Sequence, residues 1–505
     1  MMMLGSFFRG CQKNVVSSSV SFRHISTAIR NNSNQDYDEP QHVVYPKIKL
    51  PSKIVLPGLP TEEPWTRVKK VMKFDYDTAV ANLQGKPPPP FPGNADILII
   101  GGGIVGSSIA YHLSERTGPG LKVTVVEKNP PKISNCSSDL YHQVGSMPNF
   151  EMTQYAAEFY RTLGLTWDDP DLPPLPDIGF NVNSSLLIAP KDKTDIIDDL
   201  SDMYKTTKWN HQMLSSQILK QKFPWLNSDG IVLGCLGMHK EGFFNESCAL
   251  AIIRAKARRN GVTFQQGNVV GFEFVDVSDL ASPMHHLIKT YTPRTAVIYD
   301  PEGDAKRLSF GYAVLAAGNS INEVASLLRI NNQDTDLPLI SQKLSTFEIQ
   351  SNSGPGLDMP LIMDPSGLRV RRNGLLGTYS VWNEKDLVDH ASDEEPIVDN
   401  NYFNEELYPK LIHRIPDFKD CKVISSKAQI VDKCLWDNHL LLGPLIRYPN
   451  ILVAGGFCNN RYLFAPAIGR GLAEHMLDSQ YSGIDLSCFR LERIVNELKI
   501  NTAQI

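Results

Sequence analysis

Three short, uninterrupted apolar runs punctuate the chain, and each breaks at glycine. Ile97-Leu98-Ile99-Ile100 precedes Gly101-Gly102-Gly103, Ala313-Val314-Leu315-Ala316-Ala317 precedes Gly318, and Ile451-Leu452-Val453-Ala454 precedes Gly455-Gly456. Such runs read as strands buried on both faces, as in a parallel sheet. Helix-compatible segments follow the first and the last, Ser107–Leu113 and Ala465–Leu477, the latter with Pro466 near its first turn. Between them lie Phe180–Ala189, Val269–Phe274, Lys343–Gln350 and Leu361–Val370, which read as strands of the half-buried or paired kind. Helices are expected over Met152–Gly164, Thr194–Tyr204, Ser215–Lys222 (with Ser215 or Ser216 as N-cap) and Ser247–Asn260, stopped by Gly261. The pattern predicts an α/β fold, discontinuous in sequence, opened near residue 96 and closed near residue 478, with an inserted α+β domain of mainly antiparallel sheet.

The first glycine break has a chemistry. Gly101, Gly103 and Gly106 stand in G-x-G-x-x-G register, and Lys122–Val126 is a second strand ending in Glu127. In a Rossmann-like unit the first glycine makes the turn, the second lets the backbone approach a pyrophosphate, and the third lets helix and strand pack closely. The helix N-terminus offers free N–H groups to phosphate. An acid about 20 residues past the last glycine accepts hydrogen bonds from ribose.

Composition adds bounds. A chain of 505 residues suggests two or three domains, and net charge −5 gives no general attraction to nucleic acid or anionic membrane. No apolar run reaches membrane-spanning length, which leaves peripheral inner-membrane contact open. The eight cysteines form no C-x-x-C pair and read as reduced thiols. The N-terminus contains Arg9, Lys13, Arg23 and Arg30 and no acid before Asp36, with serine frequent. That describes a mitochondrial transit peptide, the alternatives being a disordered tail or a secretory signal, for which no clean apolar region is present. The expected division is a presequence over 1–30 and a Pro-rich tether over 31–92. Segments 93–150, 236–275, 310–335 and 436–495 form the cofactor domain; 151–235, 276–309 and 336–435 form the substrate domain.

The opening turn, the Glu127 strand end, Ala316-Ala317-Gly318 and Ala454-Gly455-Gly456-Phe457 before Ala465–Arg470 resemble the D-amino-acid-oxidase/glycine-oxidase superfamily of FAD-dependent oxidoreductases. Lys222–Asn227, Gly237-Met238, Glu241–Phe244 and Ile484–Ser487 look most like its mitochondrial branch linked to respiratory complex I assembly. The resemblance covers roughly residues 93–495. It implies FAD as cofactor, held at Gly101, Gly103, Ile104, Val105, Gly106, Glu127, Lys128, Val269 (near the adenine), Gly318 and Gly456, with Gly469 and Arg470 near the flavin end. It implies either a matrix protein acting with complex I assembly intermediates, its redox activity weakened, or an active dehydrogenase or oxidase of small amines or N-methyl amino acids. A scaffold that has lost FAD is a third reading.

Two departures bear on catalysis. The family's small-residue turn after the last strand is here Gly456-Phe457-Cys458-Asn459-Asn460-Arg461, and the Ala-Ser-rich loop after Glu127 is Cys136–Gly145. Arg461 is a candidate substrate clamp or a structural ion pair, and Arg369, Arg371 and Arg372 form a second cluster. Arg371-Arg372 before Asn373-Gly374 reads more simply as a solvated hairpin rim. His142, in Tyr141-His142-Gln143-Val144-Gly145, is similar to the histidine through which dimethylglycine and sarcosine dehydrogenases attach FAD, or is a polar loop residue. Cys458 reads as a small residue under the cofactor rather than a redox thiol. His285-His286 reads as a surface pair, and no metal site is expected.

Overall fold

The computed structural model describes residues 91–129, 136–163, 177–207, 209–276, 291–328, 337–390 and 396–500. The expected presequence, nearly all of the tether and His285-His286 lie outside the described residues. The opening unit is β1 (Asn94–Ile100), helix α1 (Ile104–Thr117) and β2 (Val123–Glu127), followed by β3 (Ser137–Leu140) and α2 (Met147–Thr162). Next come β4 (Asn181–Val182), β5 (Ser185–Pro190), β6 (His211–Ser215), β7 (Ile231–Gly237), β8 (Gly242–Asn245) and α3 (Glu246–Arg259). The chain continues through β9 (Thr263–Gln266), β10 (Asn268–Asp276), β11 (Tyr291–Tyr299) and β12 (Ala305–Leu315). Then follow β13 (Leu339–Gln350), β14 (Leu361–Met363), β15 (Leu368–Asn373), β16 (Thr378–Asn383), β17 (Val388–Asp389) and β18 (Lys422–Cys434). Last are β19 (Leu441–Pro444), β20 (Ile451–Gly455) and α4 (Arg461–Asp478).

The three glycine-ended runs do meet in one sheet. β1 lies between β2 and β12, all parallel, and β20 pairs in parallel with the C-terminal half of β12. The sheet order is β10-β11-β12-β1-β2-β9, with β20 beside β12 and β19 beside β20. The inserted sheet runs β17-β13-β16-β15-β14-β5-β7-β6, and β18 covers the full length of β13. This is the mixed α/β fold that the pattern predicts.

Two expectations need correction. The sequence pattern assigns residues 291–309 to the substrate domain, yet β11 pairs with β10 and β12 and extends the cofactor sheet. One apolar cluster also joins both sheets, running from Ile97 and Ile99 through Leu187, Leu344 and Met363. The other concerns Pro466. α4 starts at Arg461, so Pro466 lies inside it. A proline there cannot donate to the carbonyl of Tyr462, and a buried carbonyl needs a partner. The Tyr160 hydroxyl, from α2, supplies it at 2.8 Å. Both tyrosines are buried. Tyr160→Phe should therefore cost about 1–3 kcal/mol, read as a lower denaturant midpoint with unchanged m-value.

Where α1 meets α4 the backbones come close. A Cβ on Gly469 would lie 2.4 Å from Ser108 Oγ and 2.7 Å from its carbonyl carbon. Gly469 is thus a helix-crossing glycine, and Arg470 pairs with Glu474 at 2.9 Å beside the Tyr155 ring. Neither lines the cavities described below, which corrects their expected position at the flavin end.

Candidate cofactor and substrate site

The turn after β1 shows three glycines with three different jobs. Gly101 has φ +106°, and a Cβ on it would sit 2.3 Å from the carbonyl oxygen of Ala316. Gly106 has no room either: its Cβ would lie 1.9 Å from the carbonyl oxygen of Gly101. Gly103 differs, since a Cβ there meets nothing within 4 Å among the described residues. It is the N-cap of α1 and has no side-chain cap, so the first-turn N–H groups face outward.

They face a cavity of about 880 Å³. Its walls include Gly101, Gly103, Ile104 and Val105, then Glu127 and Lys128 at the end of β2, Val269 on β10, and Gly318 after β12. Gly318 is left-handed at φ +56°, and its Cβ position is also open. The cavity extends past Asp432 and Phe457 to Arg461 and Tyr462. Glu127 braces the turn: Oε2 accepts the Gly102 N–H at 2.5 Å and Oε1 accepts from Asn129 at 3.3 Å. Arg254 of α3 donates to the Gly102 carbonyl at 3.0 Å and stacks on Phe264. Burial pushes its guanidinium down to about 10. An uncapped helix N-terminus, an open Gly103 and an acid at the ribose position fit the ADP half of a dinucleotide.

The far end is built by the turn after β20. Gly456 is left-handed at φ +81°, and Cys458 adopts φ +49°. Asp432, buried on β18, accepts the N–H of Gly456 at 2.5 Å and of Phe457 at 3.3 Å, while its own carbonyl accepts the Cys458 N–H at 2.7 Å. Burial raises the Asp432 carboxyl above its ordinary range, opposed by those two N–H groups. Burial likewise pushes the Cys458 thiol up to about 12, so it stays protonated and is a packing residue. Asp432 escaped the sequence reading because it is one acid in a strand pattern.

Asn459, Asn460 and Arg461 are tied down rather than projecting freely. Gln429 donates to Asn459 at 2.7 Å, and the Tyr141 hydroxyl donates to Asn460 at 2.9 Å. Arg461 donates to Gln429 at 3.0 Å and lies 3.7 Å from Glu246. It therefore sits on the cofactor cavity as a paired side chain.

Beyond this turn are two further cavities. One, of about 480 Å³, is lined by Gln143, Leu187, Leu344, Gly456, Phe457 and Cys458. The other, of about 270 Å³, is lined by Asp139, Glu246, Arg371, Asn373, Trp382 and Gln429. Tyr141, Arg369, Glu384, Asn459 and Asn460 border both.

The arginines correct the hairpin reading. On β15, Leu368 and Val370 enter the apolar core, and Arg369, Arg371 and Asn373 share the other face. That face is covered instead of solvated: Arg369 and Arg371 are each 3% exposed. Arg369 lies 3.0 Å from Glu384; Arg371 lies 3.1 Å from Asp139 and 4.1 Å above the Phe243 ring. Burial outweighs Arg371 and pushes Asp139 up to about 6. Among the described residues, the Nε groups of both arginines are buried without a hydrogen-bond partner. Only Arg372 sits at the rim, donating to Pro355 and to Tyr379.

His142 faces away from all of this. It is fully buried, its Nδ1 is 2.8 Å from Thr153 Oγ1, and its ring packs edge-on against Trp209. Tyr141 and Gln143 line the cavity while His142 between them does not. Attachment of a flavin through this side chain conflicts with that orientation. Burial pushes the imidazole down to about 3, so it is neutral.

The FAD dependent oxidoreductase (DAO) family matches residues 96–475. The FAD-dependent oxidoreductase domain-containing protein 1 homolog of Drosophila melanogaster is 33% identical over 423 residues, covering 81% of this chain and 80% of that protein. FAD-dependent oxidoreductase domain-containing protein 1 of Bos taurus is 30% identical over 453 residues, 83% of this chain and 92% of that one. In solved structures, L-proline dehydrogenase from P. horikoshii superposes with a TM-score of 0.66 at 16% identity, over 81% of this chain and 100% of that one. The glycine turn, Glu127, the returning β12 and the β20 turn all fall within the matched segment, and the chain belongs to the DAO family of FAD-dependent oxidoreductases.

Proposed function

We propose that this chain binds FAD non-covalently and oxidises a small amine or amino acid at its C–N bond. The observation that carries the reading is the continuity of the uncapped α1 N-terminus and open Gly103 with a cavity that reaches the β20 turn. Gly101, Gly103, Ile104 and Val105 would hold the pyrophosphate, Glu127 the adenosine ribose, Val269 the adenine side, and the Gly456–Cys458 turn the ring end. When bound, FAD supplies the two-electron oxidation. The chain's own part is orientation. Arg369 and Arg371 have buried N–H groups suited to a substrate carboxylate, with Asp139 and Glu384 beside them to compensate charge.

The tethered Asn459-Asn460-Arg461 turn favours a second reading, in which redox activity is weakened and the protein serves complex I assembly in the mitochondrial matrix. The acid-free basic N-terminus supports that setting, and peripheral contact with the inner membrane is compatible with it. Purified protein should show a flavin absorption band that acid precipitation releases into the supernatant. Bleaching of the band by sarcosine-like or amino-acid substrates supports the enzyme. A loaded flavin that no such substrate bleaches, with complex I lost on depletion, supports the assembly role. Absence of any flavin sinks the enzyme reading and leaves a scaffold that has lost FAD.

A further inference from the structure

Glu241 was legible in the sequence only as part of a resemblance, and its surroundings are unusual. It is 2% exposed. The space it occupies is reserved by Gly237, whose Cβ would lie 2.2 Å from both carboxyl oxygens. Glu241 accepts the His142 N–H at 3.2 Å and the Ser185 N–H at 2.9 Å. The hydroxyl of Ser185 is 2.6 Å from Glu241 Oε2 and also 2.6 Å from Gln143 Oε1. Gln143 is fixed in that orientation, because its Nε2 donates to the Ser185 carbonyl at 3.2 Å. Turning the amide over would set two oxygens against each other.

A serine hydroxyl has one proton. It cannot donate to a carboxylate and to an amide oxygen at once. Both contacts are hydrogen bonds only if Glu241 donates to Ser185 Oγ and Ser185 donates to Gln143. We propose that Glu241 is held as a neutral carboxylic acid whose proton orders the chain Glu241–Ser185–Gln143, so that Glu241 is a positioning residue for the wall of the 480 Å³ cavity. Its role at that cavity rests on the flavin-site reading above; its protonation does not.

The surroundings agree. From β7 comes Cys235, whose thiol burial keeps protonated; from the segment beside β3, neutral His142; from the helix Thr194–Thr207, Tyr204, whose hydroxyl donates to the His142 carbonyl. Lys240 is committed to Glu158 at 2.9 Å, and His239 lies against Trp209. No cation acts on Glu241 among the described residues, and burial pushes it up to about 8, although the Ser185 and His142 N–H groups, and the Ser185 hydroxyl once it turns, favour the charged form. The native state thus binds a proton that the unfolded chain releases at the ordinary carboxyl range. Stability is full below that range and falls as pH rises through about 8. Above it the hydroxyl turns to the carboxylate, and Gln143 Oε1 is left facing a lone pair.

The test uses the full flavin-loaded protein. Its infrared spectrum should contain the C=O stretch of a buried protonated carboxylic acid at pH 6–7, lost with a midpoint near 8 and absent in Glu241→Gln. Over the same range the wild-type flavin band and melting temperature should shift, and Glu241→Gln, having no proton to lose, should flatten both profiles whatever its absolute stability. Absence of the acid band from wild type at pH 6, or its persistence in the variant, overturns the protonated state. An acid band that titrates while the flavin band stays unmoved overturns the link to the cavity and leaves FAD binding intact.

Discussion

Gly103→Leu yields a folded protein without flavin, and Gly106→Ala yields a strongly destabilised one. The two glycines lie three residues apart and differ in what their Cβ would meet. At position 103 the backbone is at φ −65° and ψ −170°, which any residue adopts, and the Cβ enters open cavity. A leucine side chain there takes the volume that a pyrophosphate would use against the helix N-terminus. FAD affinity should fall by roughly 100-fold or more, about 2.8 kcal/mol, while the melting temperature of flavin-free protein stays unchanged. At position 106 the added carbon would lie 1.9 Å from a backbone oxygen and 3.1 Å from Ile99. The strand and helix must separate, at more than about 3 kcal/mol. The measurements are the flavin-to-protein absorbance ratio and thermal melting with and without added FAD. Equal flavin loading in Gly103→Leu and wild type would defeat the pyrophosphate assignment.

Arg414→Met should destabilise the inserted sheet by about 3–5 kcal/mol, and adding Asp364→Leu should recover most of that loss. The guanidinium and the Asp364 carboxylate are hydrogen-bonded and both nearly dry, with side chains 7% and 4% exposed. The same arginine donates to the Asn227 carbonyl, and Asn227 returns bonds to the backbone of His413 and Arg414. Removing only the cation strands a buried carboxylate at the edge of the 480 Å³ cavity. Removing both charges leaves an apolar contact. Chemical denaturation of both variants checks the sign, and additive losses would rule out a coupled pair.

How far the sequence could be read follows from where each constraint originates. β1, β12 and β20 were recognisable because an apolar run and the glycine ending it are neighbours in the chain. The roles of Gly101, Gly103 and Gly106 were recognisable for the same reason. Asn245 caps α3 by accepting from Cys248 three residues on, so that helix start was local too. Arg371 was not readable. Its strand alternates apolar and basic, which on local grounds means one wet face; only Asp139 and Phe243, far away in sequence, make that face dry. His142 had the right neighbours for a flavin attachment point, but side-chain alternation through Tyr141-His142-Gln143 turned it toward Trp209. Gly469 carried a helix-packing signal, which looks the same in sequence as a cofactor-approach signal.

The late arrival of β20 and α4 has a kinetic consequence. The Tyr160–Tyr462 bond closes a loop of 302 residues, and β20 completes a sheet whose first strand begins at Asn94. Contacts of such separation are slow to form. Until residues near 478 are available, β12 presents part of an unpaired edge and α1 lacks the helix that covers Ser108. A chain shortened before Leu441 should accumulate as an aggregating species, since an open apolar edge recruits other strands. The far end of the 880 Å³ cavity, at Asp432, Phe457 and Arg461, is therefore one of the last features to exist in a newly made molecule, long after the glycine turn at its other end.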